Sequence, residues 1–274
     1  MSKRRSVLIW LVLSPLLVII LFPFAVMLFT ALKPRAEVFS YPPRWLPTEL
    51  RWQNFVEMWQ ATDFGTALLN STLISLGSTL LVLILSVPAA YAMARTNFAA
   101  KQPFRQFLLA TQMLSPILVV LGIFHLVVSI GLVDNKFALV LIYAAFNIAF
   151  AVWMLQSYFA SIPVELEEAA LIDGCTRWRA IVSIFVPLAA PAMVVTSIFT
   201  FINSWNEFVV ALTLLRSQSN FTLPLRIFSL VGGRYTVEWQ QVMAATLLAT
   251  LPVAIVFSWL QRYLVRGLTV GAVK

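Results

Sequence analysis

The chain has 274 residues, of which 61% are hydrophobic and only 11% charged, with a formal net charge of +8. Soluble domains hold about 45–50% apolar and about 25% charged residues. So much apolar surface excludes an ordinary water-soluble globule and points to an all-α integral membrane protein with the bilayer as its solvent. Cys175 is the sole cysteine and His125 the sole histidine. They exclude an intrachain disulfide and supply no zinc cluster, so no metal site is expected. The basic residues flank apolar runs, which reads as topology marking and not as a nucleic-acid surface.

Six apolar runs come near the ~20 residues that a span requires: 7–32, 68–94, 107–130, 137–159, 188–212 and 242–264. The first follows Lys3, Arg4 and Arg5, as in the charged region of a signal peptide. It is longer than the ~7–15 residues of a signal core, so it is expected to stay as a span, kinked at Pro15 and Pro23. The loop 33–67 is rich in Pro and Trp, and Pro42, Pro43 and Pro47 forbid continuous helix over 41–47. Residues 53–60 suit a short surface helix, and Trp45, Trp52 and Trp59 suit an interfacial belt. Gln112 in run three and Asn147 in run four are polar positions that could face a cavity. His125 has no acidic residue in its own run, so a hydrogen-bonded structural role is expected for it.

Between runs four and five, residues 163–173 predict a helix too short and too charged to span. Pro163 suits its first turn, Glu165, Glu167 and Glu168 suit the positive end of its dipole, and Gly174 suits the position just past its end. Thr176 can cap a second helix running toward Pro187 and Pro191. Run five carries a polar stripe. At ~100° per residue, Thr196, Thr200, Asn203 and Glu207 share one face, and Ile198, Phe201, Trp205 and Phe208 point away. The stripe reads either as a face that meets a polar solute or as hydrogen-bond glue between helices.

Lys and Arg set the orientation. Lys3, Arg4 and Arg5, then Arg95, Lys101 and Arg105, then Arg177 and Arg179, then Arg262, Arg266 and Lys274 share one side if there are six spans. The opposite set, Lys33, Arg35, Arg44, Arg51, Lys136, Arg216, Arg226 and Arg234, is spread over longer loops. Short loops dominate the positive-inside rule, so both termini are expected in the cytoplasm.

The stretch Glu168-Ala169-Ala170, then Gly174, then Ile184-Phe185-Val186-Pro187 resembles the EAA loop of ABC importer permeases, with Val186 in place of the usual Leu. Pro88 to Arg95, Asn203-Ser204-Trp205-Asn206-Glu207-Phe208 and the tail from Arg266 to Lys274 are similar to segments of the carbohydrate (maltose-type) branch of that family. The resemblance implies a single permease domain over 1–274 in the bacterial inner membrane, with 163–173 as a cytoplasmic coupling helix. It implies a second related permease, two ATPase subunits that hold ATP and Mg, an extracytoplasmic sugar-binding protein, and membrane lipid as partners. Glu168, Ala169, Ala170, Asp173, Gly174, Ile184 and Pro187 would form the coupling region, with Ala169 and Ala170 as its close-packing surface. Asn147, Thr200, Asn203, Trp205, Asn206 and Glu207 become candidates for the sugar path, with Trp205 or Trp153 stacking on a ring.

No Gly is followed by Lys, so the chain has no phosphate-cradling G-x-x-x-x-G-K loop. ATP hydrolysis is therefore expected in a partner, and the chain is not expected to be an enzyme or to hold a cofactor. An ion-coupled secondary transporter of small polar solutes is the alternative. It would want several intramembrane carboxylates, and only Glu207 qualifies.

Overall fold

In the computed structural model, residues 3–232 and 237–270 are described, and they form helices joined by turns with no strand among them. The side chains of Lys3, Arg4, Arg5, Arg262 and Arg266 lie outside the described residues, as do Arg234 and the end of the tail, Gly271 to Lys274. The first helices are α1 (Lys3–Ala31), α2 (Arg35–Val38), α3 (Gln53–Ala61) and α4 (Phe64–Arg95). Next come α5 (Lys101–Gln112), α6 (Pro116–Ser129), α7 (Lys136–Ser161) and α8 (Val164–Ile172). The chain continues through α9 (Arg177–Ala180), a π-helical turn (Ile181–Phe185), α10 (Val186–Leu188), α11 (Ala190–Asn206) and α12 (Val209–Leu214). It ends with α13 (Leu223–Val231) and α14 (Trp239–Val270).

Among the described residues, four helical segments are long and apolar enough to cross a membrane: Leu13–Ala31, Phe64–Arg95, Lys136–Ser161 and Trp239–Trp259. The first persists as one helix through Pro15 and Pro23. The third and fifth apolar runs differ from their expected form. The α5–α6 pair is bent by 101°, and the pair Arg177–Leu188 with α11 by 79°. Counting each bent pair as one span gives six.

Proline chemistry accounts for both bends. Ser115, before Pro116, adopts φ −70°, ψ 135°, because the proline ring disfavours helical backbone in the residue it follows. The polar residues Lys101, Arg105 and Gln112, assigned in part to a connection, thus form a separate helix. At the second bend Ala189 leaves helical geometry (φ −86°, ψ 6°), and Pro191 sits at the second position of α11, where its missing N–H costs nothing. Run five breaks again at Glu207, whose backbone is extended (φ −68°, ψ 126°), before α12 restarts.

The residues fall into two compact units. One contains residues 1–65 and 226–252. In it, the Asn54 side chain donates to the carbonyls of Ala31 and Lys33 at 2.7 and 2.9 Å, satisfying acceptors at the end of α1. Met58 and Phe64 are fully buried there, and Phe64 meets the Trp59 ring at 5.2 Å. Glu238 pairs with Arg35 at 2.6 Å.

The other unit contains residues 66–225 and 253–274. Its α4 carries a buried row of small residues, Ser71, Ser75, Ser78 and Ser86, which allows neighbouring helices to approach closely. Ser78 Oγ donates to Ser204 Oγ of α11 at 2.9 Å. One apolar cluster joins Ile74, Val127, Leu139, Tyr143, Val210 and Leu214. A second joins Ala90, Tyr91, Leu155, Phe159, Ile181 and Phe185.

Candidate functional site

Two places in the second unit gather the residues singled out by the sequence. The first is a cavity of about 320 Å³ lined by Thr111, Gln112, Leu114, Pro116, Tyr143, Phe146, Asn147, Asn203, Ser204 and Glu207. The bend at Pro116 opens it on one side, and α7 and α11 wall it on the other. Asn203 Nδ2 donates to Asn147 Oδ1 at 3.1 Å, and Asn147 Nδ2 donates to the Tyr143 carbonyl at 2.8 Å. Each amide has two N–H donors, so each keeps one for a guest, and Asn203 keeps its carbonyl oxygen as well. Gln112 Nε2 reaches the Phe146 carbonyl at 3.4 Å. The arrangement suits a neutral, hydroxyl-bearing molecule.

Glu207 faces this cavity, but its carboxylate is already engaged. It accepts the Tyr143 hydroxyl at 2.7 Å and the backbone N–H groups of Val210 and Ala211 at 2.9 and 3.3 Å. Those N–H groups open α12 and have no partner within their own helix. The carboxylate therefore holds together the break between α11 and α12.

The polar stripe of run five does not act as one face. Thr200 is 1% exposed and its Oγ1 has no hydrogen-bond partner, and Thr196 donates to the Ala192 carbonyl. Trp205 is buried and stacks on Phe201 at 5.5 Å, away from the cavity. Asn206 is exposed but does not line it. Asn203 and Glu207 meet the cavity, whereas Thr196 and Thr200, on the same side of α11 by their spacing, are covered by neighbouring helices. A second, mostly apolar cavity of about 230 Å³ shares Gln112 with the first and is lined further by Arg105, Leu108, Phe150, Trp153 and Gln156. Of Trp205 and Trp153, Trp153 is thus the one that lines a cavity. His125 is exposed on α6 with its ring edge toward Phe124 at 6.2 Å, and not hydrogen-bonded as expected.

The second place is α8. Its last turn closes through Cys175 N–H to the Ala170 carbonyl at 2.9 Å and Gly174 N–H to the Leu171 carbonyl at 3.1 Å. Gly174 has φ +81°, a left-handed conformation that a side chain disfavours. Glu168, Ala169 and Asp173 are exposed, while Glu167 and Ala170 face inward at 8% and 9% exposure. Ala169 and Ala170 therefore do not form one outer surface, because adjacent helical residues point ~100° apart. Ile184 packs on the second apolar cluster, and Pro187 is exposed near the bend.

Sequence reading missed the role of Glu167. Its carboxylate accepts the Tyr91 hydroxyl and lies 3.4 Å from Arg95 Nε. Arg95 also donates to the Ile162 carbonyl and lies 5.1 Å over the Phe185 ring. The signal was present: Glu167 and Ala170 are three apart, hence on one face, and Arg95 ends a span.

At the opposite end of α7, Asp134 (φ +61°) ties down the loop after α12. Its carboxylate accepts the N–H groups of Arg216 and Ser217 at 2.9 and 3.1 Å and the Ser217 hydroxyl. Burial alone would raise its pKa, but these bonds and one involving Asn220 outweigh it and bring the carboxyl down to about 2. Among the described residues no group of three His, Cys, Asp or Glu side chains could hold a metal.

Residues 83–270 match the family described as binding-protein-dependent transport system inner membrane component. The chain is 34% identical over 264 residues to the inner membrane ABC transporter permease protein YcjP of Escherichia coli (strain K12), covering 96% of this chain and 94% of that one. It is 34% identical over 257 residues to the diacetylchitobiose uptake system permease protein DasC of Streptomyces coelicolor, covering 93% and 92%. Its fold matches a chain of a bacterial ABC transporter involved in import of the acidic polysaccharide alginate, with a TM-score of 0.80 at 22% identity over 96% of this chain and 98% of that one.

Proposed function

The chain belongs to the family of binding-protein-dependent transport system inner membrane components, and from that premise we propose that it is one permease subunit of an ATP-driven sugar importer. The observation that carries this reading is the family match over 83–270, which includes both α8 and the amide-lined cavity. The uptake of diacetylchitobiose by one relative favours a sugar as cargo. The neutral amides of Asn147 and Asn203 suit sugar hydroxyls.

The 274 residues act as a single transmembrane permease domain of six spans, each bent pair counting as one, with both termini in the cytoplasm. The short helix α8 docks into an ATPase subunit through its exposed face, Glu168, Ala169 and Asp173, with Gly174 setting its exit. Ile184 and Pro187 carry the chain from there into the fifth span. A second related permease completes the path, two ATPase subunits bind and hydrolyse ATP with Mg, and an extracytoplasmic binding protein delivers the sugar. Closure of the ATPases moves α8, and the spans alternate between inward-facing and outward-facing arrangements as rigid bodies. The family match does not favour the ion-coupled alternative, and the one carboxylate on which that alternative drew, Glu207, is engaged by three donors.

The test is to purify the tagged chain in mild detergent and identify its partners. Two ATPase copies and one second permease per chain are expected, with ATP-dependent sugar uptake that falls when Asn203 is changed to Ala. A chain that purifies alone, or uptake that follows an ion gradient without ATP, overturns the reading.

A further inference from the structure

We propose that Glu167, not the exposed Glu168 beside it, fastens α8 to the span α4, with Tyr91 and Arg95 as its partners, so that α8 and the spans move as one piece. The proposal rests on the reading of α8 as the ATPase-coupling helix. It makes Glu167 a positioning residue for transport.

The short helix is joined to the chain through Ile162-Pro163 on one side and the Gly174 turn on the other. Its inward face consists of Glu167 and Ala170 alone. Apolar contact through one alanine is non-directional and would let the helix rock when its outer face is pushed. The polar contacts supply direction. Tyr91, on the last turns of α4, donates its hydroxyl to Glu167. Arg95, at the end of α4, lies against the same carboxylate at 3.4 Å and also donates to the Ile162 carbonyl, where α7 ends. One guanidinium thus ties the end of α7 to the inward face of α8.

The latch has a floor. The Phe185 ring lies 5.1 Å beneath the Arg95 guanidinium and meets Tyr91 and Phe159 edge-on at 5.1 and 5.5 Å. Phe185 belongs to the π-helical turn that leads through α10 to α11. Movement of α8 is therefore passed to α4, α7 and the entry of α11 together. A buried carboxylate is costly unless paired, and fixing one arrangement among several is the best-attested use of a buried charge pair.

The test uses the chain assembled with its partner subunits, spin-labelled at Ile172→Cys on α8 and Leu85→Cys on α4, with Cys175→Ser to remove the native thiol. Both labelled positions are exposed. The probe is ATP with vanadate, so no sugar need be known. With Glu167 intact, one narrow interlabel distance is expected, unchanged by ATP-vanadate. In Glu167→Gln the detached population should rise about tenfold, the effect of losing the charge that faces Arg95 and strengthens the bond from Tyr91, and the distance should broaden on ATP-vanadate. Tyr91→Phe should shift the same way by less, and the double variant should fall short of the sum of the two. If Glu167→Gln does not accumulate, Tyr91→Phe decides, since it loses only a hydroxyl. Narrow, wild-type distances in Tyr91→Phe or Glu167→Gln overturn the latch. Ala169→Trp, on the exposed face, separates the two ideas. If it leaves ATPase binding intact, α8 is not the docking helix. If it releases the ATPases while the latch variants keep wild-type distances, the latch alone fails.

Discussion

Replacing Glu207 by Gln separates a structural carboxylate from a sugar ligand. In the native chain the carboxylate satisfies the hydroxyl of Tyr143, a residue 1% exposed, and two backbone N–H groups that open α12. Gln keeps one carbonyl oxygen and puts an N–H₂ donor where the second acceptor was. With its oxygen at the Oε2 position it still accepts from Tyr143 and Ala211 but turns a donor toward the Val210 N–H; turned the other way it keeps Val210 and loses Tyr143 and Ala211. The loss is one hydrogen bond to a charged group, about 1.5–3 kcal/mol, and it leaves a buried donor without a partner. About 2 kcal/mol is a factor of about 30 in an equilibrium constant, so the α11–α12 break should loosen measurably. The assay is a double-variant cycle with Tyr143→Phe, read by thermal stability in detergent and by sugar uptake. The two changes should be non-additive, since Glu207→Gln strips the charge from the bond that Tyr143→Phe removes. Stability should fall in Glu207→Gln, with a smaller change in the apparent affinity for sugar. The reasoning is refuted if both variants keep wild-type stability, combine additively, and Glu207→Gln weakens only the sugar affinity.

Three further outcomes follow from particular geometries. Gly174→Ala should cost about 1 kcal/mol at its φ of +81° and reduce uptake, while Gly174→Pro, locked near −65°, should abolish uptake with the subunit still inserted; normal uptake by the proline variant would contradict the turn's role. Thr200→Val removes a buried hydroxyl without a hydrogen-bond partner, so stability should hold or rise and uptake should be unchanged; a tenfold loss of uptake would restore Thr200 to the sugar path. Asp134→Asn should release the loop at 216–220, seen as faster amide exchange at Arg216 and Ser217. Its carboxyl is depressed to about 2, so its stabilising effect is complete above about pH 4 and is lost as pH falls through 2. Loop protection should therefore be flat between pH 5 and 8, and a midpoint inside that range would show that another group holds the loop.

Composition and period were enough to predict the helical class, the positions of the long apolar helices α1, α4, α7 and α14, the helix of 53–60 and the short helix after run four. They were enough because a bilayer demands long apolar runs and because Pro163, Gly174 and Thr176 are local signals with local causes. The two bent pairs were not legible as bends. Apolar residues continue across Ser115-Pro116 and across Ala189, and hydropathy averages over a break that costs only a few dihedral angles. The stripe in run five was legible in part. Asn203 and Glu207 meet the cavity with Asn147, although Glu207 lies past the end of α11. Thr196 and Thr200 are covered by neighbouring helices, because spacing gives the side of a helix a residue is on and not the depth at which other helices close over it.

The acidic residues that the sequence could not interpret share one role. Glu207 takes the first free N–H groups of α12, Asp134 takes those of the loop that follows it, and Glu167 takes the tyrosine and arginine at the end of α4. Each stands where a helix stops or changes direction inside an apolar protein, and there an unsatisfied polar group is most costly. Bends that must persist in an apolar protein need oriented bonds, since apolar packing is non-directional and would let them relax. The carboxylates are therefore committed to holding helix ends in place, and the donors left open in the cavity are those of neutral amides. That division fits a carrier of uncharged, hydroxyl-rich cargo. A guest bonded by Asn147 and Asn203 could be held and released without any proton or ion moving with it, and on the proposed function the free energy for the cycle enters from outside the cavity, which is the part proposed for α8.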